Sequence, residues 1–371
     1  MAQEILRQET TRTNNSWILY RVGLFATQDI SKDTVLFTEF PFIYFPPMKR
    51  YNMAVKGEAC GLCARSIKGR GLLSCGCPKC GWIKYCTLGN TTDRSTSRTG
   101  AQCLMCHFEI INSFFFFFFF FVSLACRDTA WDSSHKFECP ALNPALKDYI
   151  NLCVRENWNA GMGALRCYER ILIANEESPE ELDTVLKHLD AFATVNQEER
   201  QKKDSSWDMM GSESQMIMWE EALKYLIKGC RFPLKVTAKD TPNVLKKALP
   251  EELSKDLFSL DTFLKFVGRY NINNQDGGLY LLHSSLNHAC VPNVIIDHPG
   301  AGTNYGVSVR LARDIKRDEQ LQITYCDPRW GRETRQQYLK TEYLFTCRCK
   351  RCTGTDDGLS EEIKQALGVS F

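Results

Sequence analysis

The chain has 371 residues, enough for two or three modules built around one good core. Its 46 basic and 44 acidic residues leave a formal net charge of +2, which excludes a bulk-charge attraction to nucleic acid; a very basic protein tail would need a local acidic groove. The 18 cysteines exceed what such a core uses. The opening Met1-Ala2-Gln3-Glu4-Ile5 is polar, so clustered Cys-x-x-Cys pairs read as reduced, zinc-binding thiolates in a nuclear or cytosolic protein.

In chain order, residues 1–16 are polar and read as loose. Trp17-Ile18-Leu19-Tyr20 and Thr34-Val35-Leu36-Phe37 read as short strands flanking Gly23-Leu24-Phe25-Ala26-Thr27-Gln28-Asp29-Ile30. Taken alone, that segment is a β-turn-β entry in which Gly23 permits one close approach of main chain to a ligand. It has an echo. Ala26, Asp29, Ile30, Asp33 and Leu36 are matched by Ala312, Asp314, Ile315, Asp318 and Leu321, and each copy puts an Asp at the turn before a strand. Asp tolerates the left-handed region better than most residues.

Cys60-x-x-Cys63, Cys77-x-x-Cys80, Tyr85-Cys86, Cys126 and His135-x-x-x-Cys139 follow. A Cys-x-x-Cys knuckle presents two thiolates from one tight turn, and eight ligands make two tetrahedral zinc sites, with Cys75 an alternative to Cys77. Between Cys86 and Cys126 lies a polar, low-complexity stretch ending in eight phenylalanines, Phe114 to Phe121. Phenylalanine codons are all-pyrimidine, as is the tract upstream of an intron's 3′ end, so residues 87–122 read as a retained, translated intron. The apolar run is too short to span a bilayer. Cys103 and Cys106, inside it, are expected to bind nothing.

From Asn143 to Tyr270 the pattern is helical. Leu165, Tyr168, Leu172 and Ile173 share a face, as do Leu182, Val185, Leu186 and Leu189, and later Ile217, Leu223, Leu226 and Ile227. Ser178-Pro179-Glu180-Glu181 starts a helix; Lys202-Lys203-Asp204 and Thr241-Pro242 read as breaks. Cys153, Cys167 and Cys230 read as buried apolar residues and His188 as a surface one. Beyond Gly277-Gly278-Leu279-Tyr280 comes Asn287-His288-Ala289-Cys290-Val291-Pro292-Asn293, then a strand ending Ile323-Thr324-Tyr325-Cys326-Asp327. Cys347-x-Cys349-x-x-Cys352 is one thiolate short of a closed zinc site. Arg332, Arg335, Lys340, Arg348, Lys350 and Arg351 read as solvated surface charges.

The Asn287 turn, the Tyr325 strand end and the cysteine clasp together resemble the C-terminal half of a SET domain, the fold of most protein lysine methyltransferases. The Cys60–Cys139 cluster resembles the MYND finger of the SMYD-type branch, which includes fungal members that modify histone tails. The resemblance covers roughly residues 17–45, 60–139 and 278–352. It implies an α+β fold: SET segments at 17–59 and 276–330, split by a MYND finger at 60–139 and a helical insertion at 140–275, with a post-SET zinc segment at 331–355. By the same resemblance Gly23, Leu24, Phe25, Asn287 and His288 bind S-adenosylmethionine, although the family's usual glycine pair is reduced to Gly23 and its frequent serine is Ala289.

The resemblance further implies interleaved zinc sites, Cys60, Cys63, Cys86 and Cys126 for one ion and Cys77, Cys80, His135 and Cys139 for another. Cys290 would complete Cys347, Cys349 and Cys352. Tyr325 is the candidate hydroxyl at the methyl-transfer point, and Tyr280, Tyr343 and Phe345 either line a lysine channel or serve as core aromatics. The implied enzyme is a protein-lysine N-methyltransferase of nucleus and cytoplasm acting on histones or other lysine-bearing proteins, with peptide partners at the finger and no direct nucleic-acid or membrane partner. A catalytically silent MYND/SET adaptor is the competing reading, favoured by the single Gly23 and the interrupted finger. A zinc hydrolase fits poorly, because every zinc site looks fully ligated.

Overall fold

The computed structural model describes residues 6–11, 21–67, 73–77, 79–87, 121–195, 197, 212–231, 247–298, 305–354 and 359–368. The predicted strand at Trp17–Tyr20, Cys103, Cys106, Phe114–Phe120 and the predicted breaks at Lys202-Lys203-Asp204 and Thr241-Pro242 lie outside the described residues, as does the side chain of Cys75. Short strands and helices mix in an α+β fold of two compact units. Among the described residues no helix is long and apolar enough to cross a membrane.

The first unit gathers residues 1–44, 179–221 and 250–371. Strand β1 (Leu6–Thr11) pairs antiparallel with β2 (Arg21–Ala26), which corrects the expectation of a loose start. Backbone pairing needs no apolar pattern, so a polar strand such as β1 gives little signal in sequence. Gly23 accordingly lies within a strand, and the turn comes later, at residues 27–34. Strands β3 (Val35–Glu39), β9 (Val294–Asp297) and β10 (Val307–Leu311) form an antiparallel sheet in the order β3-β10-β9. Strand β4 (Ile43–Tyr44) pairs with β7 (Gly278–Leu279), and β8 (Asn287–His288) runs parallel to β11 (Gln322–Ile323). Leu24, Leu36, Leu286, Val294, Val309, Leu311, Leu321 and Ile323 fill the core between them. Each such side chain contributes about 1.5–3 kcal/mol of burial free energy.

The sequence echo is a true two-fold. Asp33 and Asp318 both adopt the left-handed conformation, at φ 63° and 67°. Ile30 and Ile315 exchange amide–carbonyl hydrogen bonds of 3.1 and 3.0 Å. Asp33 N–H donates to Leu311 O and Asp318 N–H to Ala26 O; Lys32 N–H donates to the Asp314 carboxylate and Arg317 N–H to that of Asp29. Residue i therefore matches i + 285 throughout, so the partner of Ala26 is Leu311, one position from the alignment suggested by the shared alanines.

Among the helices of this unit, α5 (Pro179–Ala191) starts at the expected proline and buries Leu182, Val185 and Leu189. His188 is half-buried rather than on the surface, its ring edge-on to Phe42 at 5.4 Å. Helix α8 (Leu260–Asn273) is capped by the Ser259 hydroxyl, which accepts from Thr262 N–H.

The second unit gathers residues 45–178 and 222–249, so the helical stretch expected as one insertion is divided between the units. It holds α1 (Met48–Val55), the hairpin β5 (Leu73–Gly76) and β6 (Lys84–Thr87), and α2 (Phe121–Ala130). Helix α2 runs on through a π-helical turn, Trp131–His135, to Lys136–Glu138. Helices α3 (Lys147–Arg155) and α4 (Asn159–Glu177) pack behind it, with Cys153 and Cys167 fully buried. Helix α6 (Ser212–Cys230) buries Trp219, Ala222, Leu223 and Leu226 while Ile217 is 59 % exposed. Trp219, the largest apolar residue, sets the phase of that helix and turns Ile217 outward. Cys230 is only part-buried.

Candidate active site and metal centres

Two residues beyond β11 comes Tyr325, whose hydroxyl donates to Leu286 O at 2.6 Å, next to Asn287. The parallel pairing of Gln322 with Asn287 and Ile323 with His288 puts the tyrosine on that loop. Asn293 locks the arrangement: its side chain donates to Gln320 O at 2.8 Å and accepts from Gln322 N–H at 2.7 Å. Gly23 meets the same loop from β2. A Cβ added there would lie 2.3 Å from Gln320 Nε2, 3.0 Å from the Phe25 ring and 3.2 Å from Asn287 Nδ2. The close approach that glycine permits is thus made chiefly to the side chain of Gln320, with the Asn287 amide next to it. Leu24 is buried in the core and Phe25 half-buried beside Gly23.

Aromatic rings close the other side. Tyr343 lies against Tyr325 with ring centroids 4.7 Å apart, and Phe345 lies 6.0 Å from His288. Burial pushes the Tyr343 phenol up from its usual range, as a dry pocket does. Tyr280 sits elsewhere in the loop: its hydroxyl donates to Tyr305 O at 2.6 Å and its ring is edge-on to His283. Tyr325, Tyr343, Phe345, Asn287, His288 and Gly23 are thereby brought together, whereas Tyr280 packs with the residues preceding the Asn287 turn.

The clasp lies behind these rings. Cys290, Cys347, Cys349 and Cys352 have sulfurs within 4.8 Å of one another, with Cys290 at 3.9 Å from Cys347 and 3.5 Å from Cys352. Zinc–sulfur bonds of about 2.3 Å in a tetrahedron put sulfurs about 3.8 Å apart, whereas a disulfide needs about 2.05 Å. The donor set therefore fits zinc. In the second unit Cys60, Cys63, Cys86 and Cys126 form a second quartet, and Cys77, Cys80, His135 and Cys139 a third, again within 4.8 Å. Cys63 is 3.7 Å from Cys86, Cys86 is 3.9 Å from Cys126, and Cys77 is 4.0 Å from Cys139. Cys126 and His135 leave one continuous helix about two and a half turns apart, and so feed two different quartets.

A SET domain family model matches residues 21–326. The chain belongs to the SET-domain family. It is 29% identical over 364 residues to the histone-lysine N-methyltransferase SET5 of Mycosarcoma maydis, covering 89% of this chain and 65% of the relative. To the protein of the same name in Yarrowia lipolytica it is 29% identical over 331 residues, and in Scheffersomyces stipitis 26% over 342, covering 89% of this chain and 61% of each relative. This SET-domain chain thus spans less than two thirds of the length of these relatives.

Several residues of the SET site carried no recognisable sequence signal. Arg335 and Arg351 are not surface charges: Arg335 is 2 % exposed and its Nε–H donates to Cys290 Sγ at 3.2 Å, while Arg351 donates to Pro328 O at 2.9 Å. Gln336 grips the clasp backbone, donating to Cys347 O at 2.7 Å and accepting from Cys347 N–H at 3.0 Å. Leu344, at φ 58°, reverses the chain after α9 (Arg332–Tyr343) and sends Phe345 and Cys347 back to the site. Cys326 is buried among the clasp side chains. Glu39, at the end of β3, accepts from Leu282 N–H and His283 N–H, both at 3.0 Å, and so ties the two separated SET segments together.

His283 makes a pH prediction. It is 5 % exposed, and neither ring nitrogen has a hydrogen-bond partner among the described residues. Burial, with His298 adding repulsion, lowers its pKa from 6.5 to about 4. The unfolded chain then binds the extra proton first, so stability is full above pH 6.5 and falls as pH drops toward 4. The loss is on the order of 3 kcal/mol. Urea unfolding between pH 7 and pH 4 should show it, and His283→Leu should flatten that slope; an unchanged slope would count against a neutral buried imidazole.

Proposed function

We propose that this SET domain transfers methyl groups from S-adenosylmethionine to lysine side chains of proteins, with histones the first substrates to test. The observation that carries the reading is the Tyr325 hydroxyl on the Leu286–Asn287 loop, against which Gly23 is packed. The names of the SET5 relatives point the same way. Gly23, Leu24 and Phe25 on β2, with Asn287 and the His288 backbone, would hold the cofactor. Bound there, S-adenosylmethionine supplies a methyl group on a positively charged sulfur.

The chain's own contribution is positioning. A lysine amine must be neutral to accept the methyl, and at pH 7 that costs about 4–5 kcal/mol. Walls of Tyr343 and Phe345 exclude water and disfavour the ammonium, lowering that cost. Tyr325, with its hydroxyl oriented by Leu286 O, presents its oxygen to the incoming amine. Tyr280, buried with its hydroxyl on Tyr305 O, serves in this reading as a core aromatic rather than as channel wall.

Zinc is the metal we assign to the three quartets, with the two in residues 60–139 forming a MYND-type finger that binds partner peptides. Purified protein should contain about three zinc ions per chain. We read residues 87–122 as translated intron sequence, so a chain joining Cys86 directly to Ser123 should keep the same zinc content. Metal near zero would defeat the assignment. Calorimetry with S-adenosylmethionine, followed by labelled-methyl transfer to histones, tests the activity. Binding of neither cofactor nor methyl acceptor would leave the adaptor reading, which the lone Gly23 favours.

The glycine supplies a further check. Gly23→Ala puts a methyl where the flexible Gln320 amide lies and crowds the Asn287 amide beside it, so cofactor affinity should fall about tenfold, ~1.4 kcal/mol, with little change in melting temperature. Unchanged affinity would remove β2 from the cofactor site.

A further inference from the structure

The His288 side chain is already engaged on both sides. It is 8 % exposed. Its Nδ1 accepts the backbone N–H of Tyr325 at 3.0 Å, and its Nε2 faces Cys290 Sγ at 3.4 Å. An amide N–H can only donate, so Nδ1 is the bare nitrogen of a neutral imidazole and Nε2 carries the hydrogen. That N–H has one neighbour in reach, the Cys290 sulfur. Cys290, fully buried, also accepts from Arg335 Nε–H at 3.2 Å. Two N–H donors thus converge on one buried sulfur, one of them from a buried guanidinium.

We propose that the His288 imidazole is a positioning residue that couples the Cys290 thiolate of the clasp to the backbone of Tyr325. This rests on reading the clasp as a metal–thiolate site and Tyr325 as the residue at the transfer point. One chain of contacts, Arg335 to Cys290 to His288 to Tyr325, leads from a metal-bound sulfur to the reacting phenol. The thiolate holds the imidazole in a single tautomer and a single orientation. The imidazole then fixes the amide of Tyr325, whose hydroxyl is fixed at its other end by Leu286 O. The clasp thus acts on catalysis through a hydrogen bond as well as by covering the site. The side chain of His288 is thereby unavailable to a cofactor, which is left the backbone of this residue and the amide of Asn287.

Two substitutions separate the two bonds. His288→Asn puts Oδ1 where Nδ1 was and keeps the acceptor for Tyr325, but is too short to reach Cys290. His288→Gln carries an N–H toward Cys290 and loses the acceptor. In zinc-loaded protein, alkylation of Cys290 by N-ethylmaleimide, followed by peptide mass spectrometry, should speed up about tenfold in His288→Asn and stay at the wild-type rate in His288→Gln. Hydrogen exchange at the Tyr325 amide should do the reverse. In both variants kcat should fall while cofactor Kd stays within about twofold.

Identical behaviour of the two variants on alkylation and exchange would overturn the proposal. So would a cofactor Kd raised more than tenfold with both rates unchanged, because the side chain would then be a cofactor ligand. In the wild-type protein, nitrogen-15 spectra should show the hydrogen on His288 Nε2, and finding it on Nδ1 would overturn the proposal without any variant. If the wild type transfers no methyl, the proposed activity fails while alkylation, exchange and tautomer still decide the coupling. If it holds no zinc and Cys290 alkylates freely, the clasp reading fails and the coupling with it.

Discussion

Tyr325→Phe should lower kcat by about 10²–10³-fold, the loss typical of removing one preorganised polar group from a reacting centre, while cofactor affinity stays within about twofold. The reasoning is geometric. The phenol ring is held on one side by Tyr343, at 4.7 Å, and at its tip by Leu286 O, at 2.6 Å. Phenylalanine keeps the ring packing and loses only the oxygen that orients the amine. The substitution also leaves Leu286 O without its hydroxyl donor, a stability cost of about 1 kcal/mol, too little to unfold the chain. Single-turnover methyl transfer to histones is the measurement. Transfer that persists undiminished would take Tyr325 out of the mechanism and leave the aromatic pocket as packing.

Loss of the clasp metal should be more damaging. Cys290→Ala, or treatment with a strong chelator, should abolish measurable transfer and expose residues 330–352 to rapid hydrogen exchange, with the β3-β10-β9 sheet still protected. Structural zinc in small sites contributes apparent binding free energies of about 10–16 kcal/mol. The helix itself adds little: α9 buries only Arg335 and Leu339, and Leu344 spends its φ of 58° in a region that costs a branched residue energy. Without metal, the four sulfurs beside the buried Arg335 guanidinium lose the ion that would hold them together, which favours opening. Tyr343 and Phe345 leave with the segment, and the proposed lysine channel loses its wall. Exchange protection that survives chelation would show that the clasp folds without its ion.

The three Cys-rich quartets were legible in sequence because metal chemistry needs particular residue types at short spacings, and a knuckle such as Cys77-x-x-Cys80 has few other uses. The paired turns were legible because Asp33 and Asp318 each answer a local backbone demand. What escaped depends on long-range packing. Helix α9 reads as a polar helix, and nothing local distinguishes Arg335, which faces the Cys290 sulfur, from Arg332, which faces water. Strand β1 is polar and is defined only by its partner β2. Ile217 and Trp219 compete for one buried face, and the sizes of their surroundings decide between them. Glu39 is an ordinary acid at a strand end until the fold delivers Leu282 and His283 to it.

The i + 285 pairing has a consequence for how this protein is made. Strand β3 leaves the ribosome long before β10, its neighbour in the finished sheet. At about 5–20 residues per second, the wait is on the order of 15–60 seconds. During that interval β3 and β4 lack the strands they pair with, while all the residues of the two quartets within residues 60–139 have already been made. The Cys-rich unit can therefore form first, and the Tyr325 pocket, which needs Gly23 and Asn287 from far-apart segments, is among the last parts to exist. Cells translating this message under zinc shortage or chaperone stress should accumulate chains that are inactive before they are ever misfolded.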